Sequence, residues 1–142
     1  MIYIPEVFLS LGFLIILIIS VFVKRNQNIV LGYLSLLLIF LTQFFVLKDI
    51  FLFEEIFNNF FVIDSFGSFL KSVILICAGF VIYFYLIVKN DSSLNRPEFS
   101  MIILISIIGM MLMVSSNDLL SLFVSIELQS LALYILVSFS KE

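Results

Sequence analysis

Five apolar runs, at 7–23, 29–47, 66–88, 99–115 and 119–139, alternate with short polar breaks along the chain. Each run falls within the roughly 17–25 residues that a helix needs to cross a bilayer, so each predicts a transmembrane helix. Pro5 opens the first, in keeping with a helix's first turn, and the polar run Lys24, Arg25, Asn26, Gln27, Asn28 closes it. Lys48 and Asp49 end the second run, and a polar loop at 89–98 separates the third from the fourth. Ser116, Asn117 and Asp118 form a tight turn into the fifth, with Asn117 or Asp118 suited to cap its start. The stretch IFLFEEIFNNFFVID at 50–64 is aromatic, acidic and too interrupted to span. It reads as an interfacial segment, helix or hairpin, lying on the membrane surface.

The pattern predicts an all-α fold, a polytopic transmembrane helix bundle occupying 1–142 as a single membrane domain. Orientation follows from the basic residues of the short loops. Lys24, Arg25, Lys89, Arg96 and Lys141 gather on one side, while Lys48 lies on the other with Lys71 just inside the membrane. The positive side faces the matrix or cytoplasm, so the N-terminus and 48–65 face outward and the C-terminus inward. The N-terminus MIYIPEVF has neither a basic region nor a small-residue cleavage site, and the first run is expected to be retained as a span.

Composition narrows the class. Of 142 residues, 63% are hydrophobic and 12% charged, and mean hydropathy is +1.31, far from the balance of a soluble domain. The net charge of −3 is small and dispersed, which leaves no nucleic-acid footprint. Histidine is absent and Cys77 stands alone. The chain therefore lacks the usual ligands for zinc, haem or iron–sulfur clusters. Cys77 is expected to pack as a small apolar residue inside a helix, and Gly109 as a packing residue in the fourth span. Abundant Phe and Ile with no Trp or His suggest an AT-rich genome.

The feature that calls for an explanation is Glu127, the one charge in the last span. A carboxylate at bilayer depth costs about 2.5–3.5 kcal/mol on insertion scales, and such a residue is by default a functional-site hypothesis. At 100° per residue, Glu127, Ser130, Tyr134 and Ser138 fall within about 80° of one another, and Ser121, Ser125 and Gln129 form a second polar stripe. Two polar stripes predict a helix buried in a bundle, where such groups find partners. Glu127 then reads as a proton-carrying acid, with Ser130 and Tyr134 as relay groups. Burial strengthens a carboxyl's hold on its proton, and an approaching lysine loosens it. The alternative is a protonated, hydrogen-bonded clamp between helices. Lys71, the one basic residue inside a span, either snorkels to the outer interface or pairs with an acid, Glu127 or Asp64. Its depth argues against Glu127. Glu6 and Asp64 are expected to be solvated at outer span ends, and Asp118 to flank the last helix.

Three stretches carry a resemblance: PEVFL at 5–9, DSFGSFLK at 64–71, and 98–141, most specifically GMMLMVSSNDLLSLFVSIELQSLALYIL at 109–136. The chain resembles, along essentially its whole length, the N-terminal part of chain 2 of NADH:ubiquinone oxidoreductase, respiratory complex I, bacterial counterparts included. The resemblance implies an antiporter-like subunit that couples redox chemistry elsewhere in the complex to proton translocation, and of which this chain supplies the first five helices. It implies that Glu127, within SIELQSL, is the fifth-helix glutamate that pairs with a lysine on a broken seventh helix. That helix lies outside these residues, so a second chain from a split gene is expected to carry it, with a reduced scaffold form as the alternative. No cofactor is expected on this chain. NADH, FMN, iron–sulfur clusters and ubiquinone belong to other subunits, and the implied partners are membrane lipids and the other membrane-arm subunits. The implied location is the mitochondrial inner membrane or a bacterial plasma membrane. Two further readings are a purely structural scaffold and a subunit of a multi-subunit cation/proton antiporter.

Overall fold

In the computed structural model the described residues are 4–23, 26–50, 54–56, 60–88 and 96–139. They form helices α1 (Ile4–Phe22), α2 (Gln27–Asp49), α3 (Ser65–Val88), α4 (Glu98–Ser115) and α5 (Leu119–Phe139), with strands β1 (Glu54–Ile56) and β2 (Phe61–Ile63) between α2 and α3. The helices hold 18 to 24 residues. At 1.5 Å per residue that is roughly 27–36 Å, matched to a hydrocarbon layer about 30 Å thick. All five are long and apolar enough to span a membrane.

The segment 50–64 contains a hairpin. β1 and β2 pair antiparallel, Glu54 opposite Ile63 and Ile56 opposite Phe61. The hairpin ties two helix starts together. Asn117 N–H donates to the Phe60 carbonyl at 2.8 Å, and Phe61 bridges Ser116. The starts of α3 and α5 therefore lie at the same end of the bundle, along with the start of α1 and the ends of α2 and α4. This is called the hairpin end below. At that end Asp64 caps α3, its Oδ1 accepting the Gly67 N–H at 2.8 Å. Asp118 precedes α5, its backbone carbonyl accepting the Leu122 N–H and its Oδ1 the Leu119 N–H. The opposite end is tied by Tyr85, whose hydroxyl donates to the Arg96 carbonyl at 2.8 Å and whose ring stacks on Phe99. Lys24, Arg25, Lys89 and Lys141, which carry the orientation reading, lie outside the described residues.

The core is drawn from α1 to α4, through residues such as Leu9, Leu31, Leu75, Ile82, Leu104 and Met111. Helix α4 is central. It packs on α1, α2, α3 and α5, and 50% of its spanning window is buried inside the protein. Such a helix can be apolar all round because it meets protein on most sides. Helix α5 packs chiefly on α4, and only 11% of its window is buried.

Candidate functional site

Helix α5 lies against α4 through one of its two polar stripes. Ser121 and Ser125 are buried, and Gln129 meets α4 where Gly109 lets the backbones approach: a Cβ on Gly109 would stand 3.0 Å from the Gln129 nitrogen and 3.2 Å from its Cα. The packing role expected of Gly109 is thus a close crossing of α4 and α5. The Glu127 stripe is on the opposite side of the helix and points away from the bundle. Glu127, Tyr134 and Ser138 are exposed and Ser130 is half-exposed. The expectation that α5 is buried fails for this chain, because one helix neighbour covers only one face.

On that outward stripe the serines bond to their own helix. Ser130 Oγ donates to the Ile126 carbonyl and Ser138 Oγ to the Ile135 carbonyl, each at 2.7 Å. Such local bonds satisfy a hydroxyl without any neighbour. Among the described residues, no hydrogen-bond or ion-pair partner meets the side chain of Glu127.

Lys71 is not at the interface. It is 3% exposed and pairs with Glu6, Nζ to Oε1, at 2.5 Å. Glu6 is 4% exposed, which corrects the expectation that it is solvated. Its position in the first turn of α1 places it near water in sequence terms, but the ends of α3 and α4 close over it. Ser115, the last residue of α4, donates its hydroxyl to the same Glu6 oxygen at 3.2 Å. Glu6 Oε2 is buried and has no hydrogen-bond partner among the described residues. One residue along α3, Ser72 Oγ accepts from Gln43 Nε2 of α2.

Depth is not what separates Lys71 from Glu127. From helix starts at the same end, Lys71 lies about 9 Å along α3 and Glu127 about 12 Å along α5. Direction separates them: Lys71 points into the α1–α4 core and Glu127 out of it. Asp64, the other acid considered for Lys71, is occupied as a helix cap. Cys77 lies within α3 but on its exposed side, where it borders an apolar groove of about 360 Å³ between α3, α4 and α5. Sequence reasoning missed Glu6 as a site residue. The available signal was the alternation of spans, which puts Glu6, in the first turn of α1, and Lys71, in the second turn of α3, at the same end.

Fold and site together define a polytopic α-helical membrane protein with one carboxylate on an open helix face and a second inside a buried ion pair. No protein-family model matches the chain. It is similar to NADH-quinone oxidoreductase subunit N of Pelagibacter ubique, 36% identical over 140 residues. It is also similar to the proteins of that name from Parvibaculum lavamentivorans, 33% identical over 138 residues, and Bartonella bacilliformis, 32% identical over 141. Each comparison covers 97% of this chain, and the chain spans 28–29% of the relatives' length. Over nearly its whole length the chain is thus similar to a part of proteins named NADH-quinone oxidoreductase subunit N.

Proposed function

We propose that the chain is the N-terminal part of the antiporter-like subunit of a respiratory NADH:quinone oxidoreductase and contributes to proton translocation there. The observation that carries this reading is the outward stripe of α5, where a membrane-depth carboxylate is presented on a face the chain itself does not cover. A structural helix gains nothing from leaving a carboxylate toward lipid, where it costs several kcal/mol. A face that meets a cationic helix of the remaining subunit turns the same group into half of a charge pair.

In this reading Glu127 carries the proton. A lysine outside these residues, in the same or a second polypeptide, approaches and withdraws, and the carboxyl releases and regains its proton accordingly. Ser130 and Tyr134 order the water chain beside it. Their hydroxyls both donate and accept, so each can pass a proton on. Electron transfer from NADH to quinone takes place in other subunits, and other membrane-arm subunits flank this one. The similarity to quinone oxidoreductase subunits favours this over a multi-subunit cation/proton antiporter. The basic loops put the hairpin end on the outer side of the membrane. The relatives named above are bacterial, and the location proposed is a respiratory membrane, the mitochondrial inner membrane or a bacterial plasma membrane.

The test is Glu127→Gln in the assembled complex reconstituted into proteoliposomes. Protons moved per NADH oxidised are expected to fall while assembly is preserved. Unchanged stoichiometry would show the chain to be a scaffold.

A further inference from the structure

The Glu6–Lys71 pair is the one fully buried ion pair among the described residues, and its geometry is lopsided. Glu6 Oε1 takes both the Lys71 ammonium and the Ser115 hydroxyl, while Oε2 is buried with no hydrogen-bond partner among the described residues. A buried ion pair is a weak stabiliser unless every remaining lone pair is satisfied, and apolar residues of the same size often do as well. An unmet carboxylate oxygen away from water carries a desolvation penalty. As a clamp between α1, α3 and α4, this pair is therefore poorly built. As a site that takes something at Oε2, it is complete. What fits a single buried carboxylate oxygen beside an ammonium is a proton, delivered by water.

We propose that Glu6 and Lys71 form a second protonatable station at the hairpin end, separate from Glu127, that takes up a proton at Glu6 Oε2. This rests on the proton-translocating function proposed above. An O–H bond forms at Oε2 and the carboxylate becomes the neutral acid. The Lys71 ammonium keeps its own protons. When the proton leaves to water, the pair is restored. No other bond changes and no oxidant or reductant is involved. Ser115 holds Oε1 in both states. The other described titratable groups at this end include Glu54 and Glu55 of β1. Asp64 and Asp118 accept backbone N–H groups at helix starts, Lys48 lies over the Phe44 ring, and Asp49 ends α2. If the hairpin end faces outward, the station lies on the exit side of the proton path.

The experiment compares Glu6→Gln, Glu6→Asp, Glu6→Gln with Lys71→Met, and Glu127→Gln in the assembled complex in proteoliposomes. It reads proton pumping per NADH oxidised, together with redox-induced infrared difference spectra in the carboxylic-acid region. Gln keeps the shape and can accept from Ser115 but cannot take the proton. Expected for E6Q is at least a twofold fall in pumping with assembly intact, loss of a deuterium-sensitive carboxylic-acid band, and partial recovery in E6D. Normal pumping by E6Q with a defect in E127Q would overturn the station and leave the Glu127 reading standing. Normal pumping by both would overturn both. Should E6Q fail to assemble, the double variant replaces it: normal pumping there identifies a clamp, and lost pumping supports the station.

Discussion

Replacing Gly109 is expected to disable Glu127 without touching its charge. A Cβ at this position would fall short of ordinary contact, which begins at 3.4 Å, by about 0.4 Å at the Gln129 nitrogen and about 0.2 Å at its Cα. The opposing atoms are helix backbone, which cannot swing aside as a side chain can, so α5 itself has to move. For Gly109→Ala a shift of a few tenths of an ångström suffices, at about 1 kcal/mol, the low end for overpacking. Gly109→Leu puts three more carbons into the same seam and is expected to cost about 3 kcal/mol and to displace α5 by about 1 Å or more, within the range by which contact side chains set helix separation. Glu127 is two residues from Gln129 and moves with it. Misplacement of about 1 Å can cost about 10²-fold in a step that depends on geometry, so pumping is expected to decline in the order Gly, Ala, Leu. The assay is dye-monitored proton uptake by proteoliposomes alongside NADH oxidation, with native gels to confirm assembly. If Gly109→Leu assembles and pumps like the parent, then the α4–α5 crossing does not hold Glu127 in place and the reasoning fails.

The remaining expectations concern stability and the carboxylates. Lys71→Met alone strands Glu6 as a buried charge and is expected to cost about 3–5 kcal/mol, most of it regained with Glu6→Gln added. Thermal inactivation of the complex measures this, and equal losses in single and double variants would contradict a coupled pair. Asp64→Ala removes the cap on α3 and is expected to cost about 0.5–2 kcal/mol, with Asp64→Asn close to neutral. Hydrogen exchange at the first turn of α3 reads it, and unchanged protection of the Gly67 amide would show that the cap bond is dispensable. Glu127→Gln and Glu6→Gln are expected to lower pumping independently, as set out above.

The sequence alone determined the number and extent of the spans, because a chain crossing a bilayer must satisfy its backbone within each helix and show lipid a long apolar run. It also determined that Glu127 shares a face with Ser130, Tyr134 and Ser138, since helical periodicity is local. It left 50–64 open between helix and hairpin, and only pairing across the segment, with Asn117 and Ser116 joining in, decides for the hairpin.

Three further matters belong to the tertiary structure. Helices α4 and α5 are both long apolar spans of similar hydropathy, so nothing in either sequence says that α4 is central and α5 peripheral. Both polar stripes of α5 look alike, and only the close approach at Gly109 settles that the Ser121–Ser125 stripe turns inward and the Glu127 stripe outward. Lys71 and Glu6 are 65 positions apart, and each taken alone reads as a charge near a membrane surface. Burial of the pair is a property of three helix ends closing over it. In a bilayer, where helices gain little by merely hiding apolar surface from one another, such specific contacts decide which faces meet.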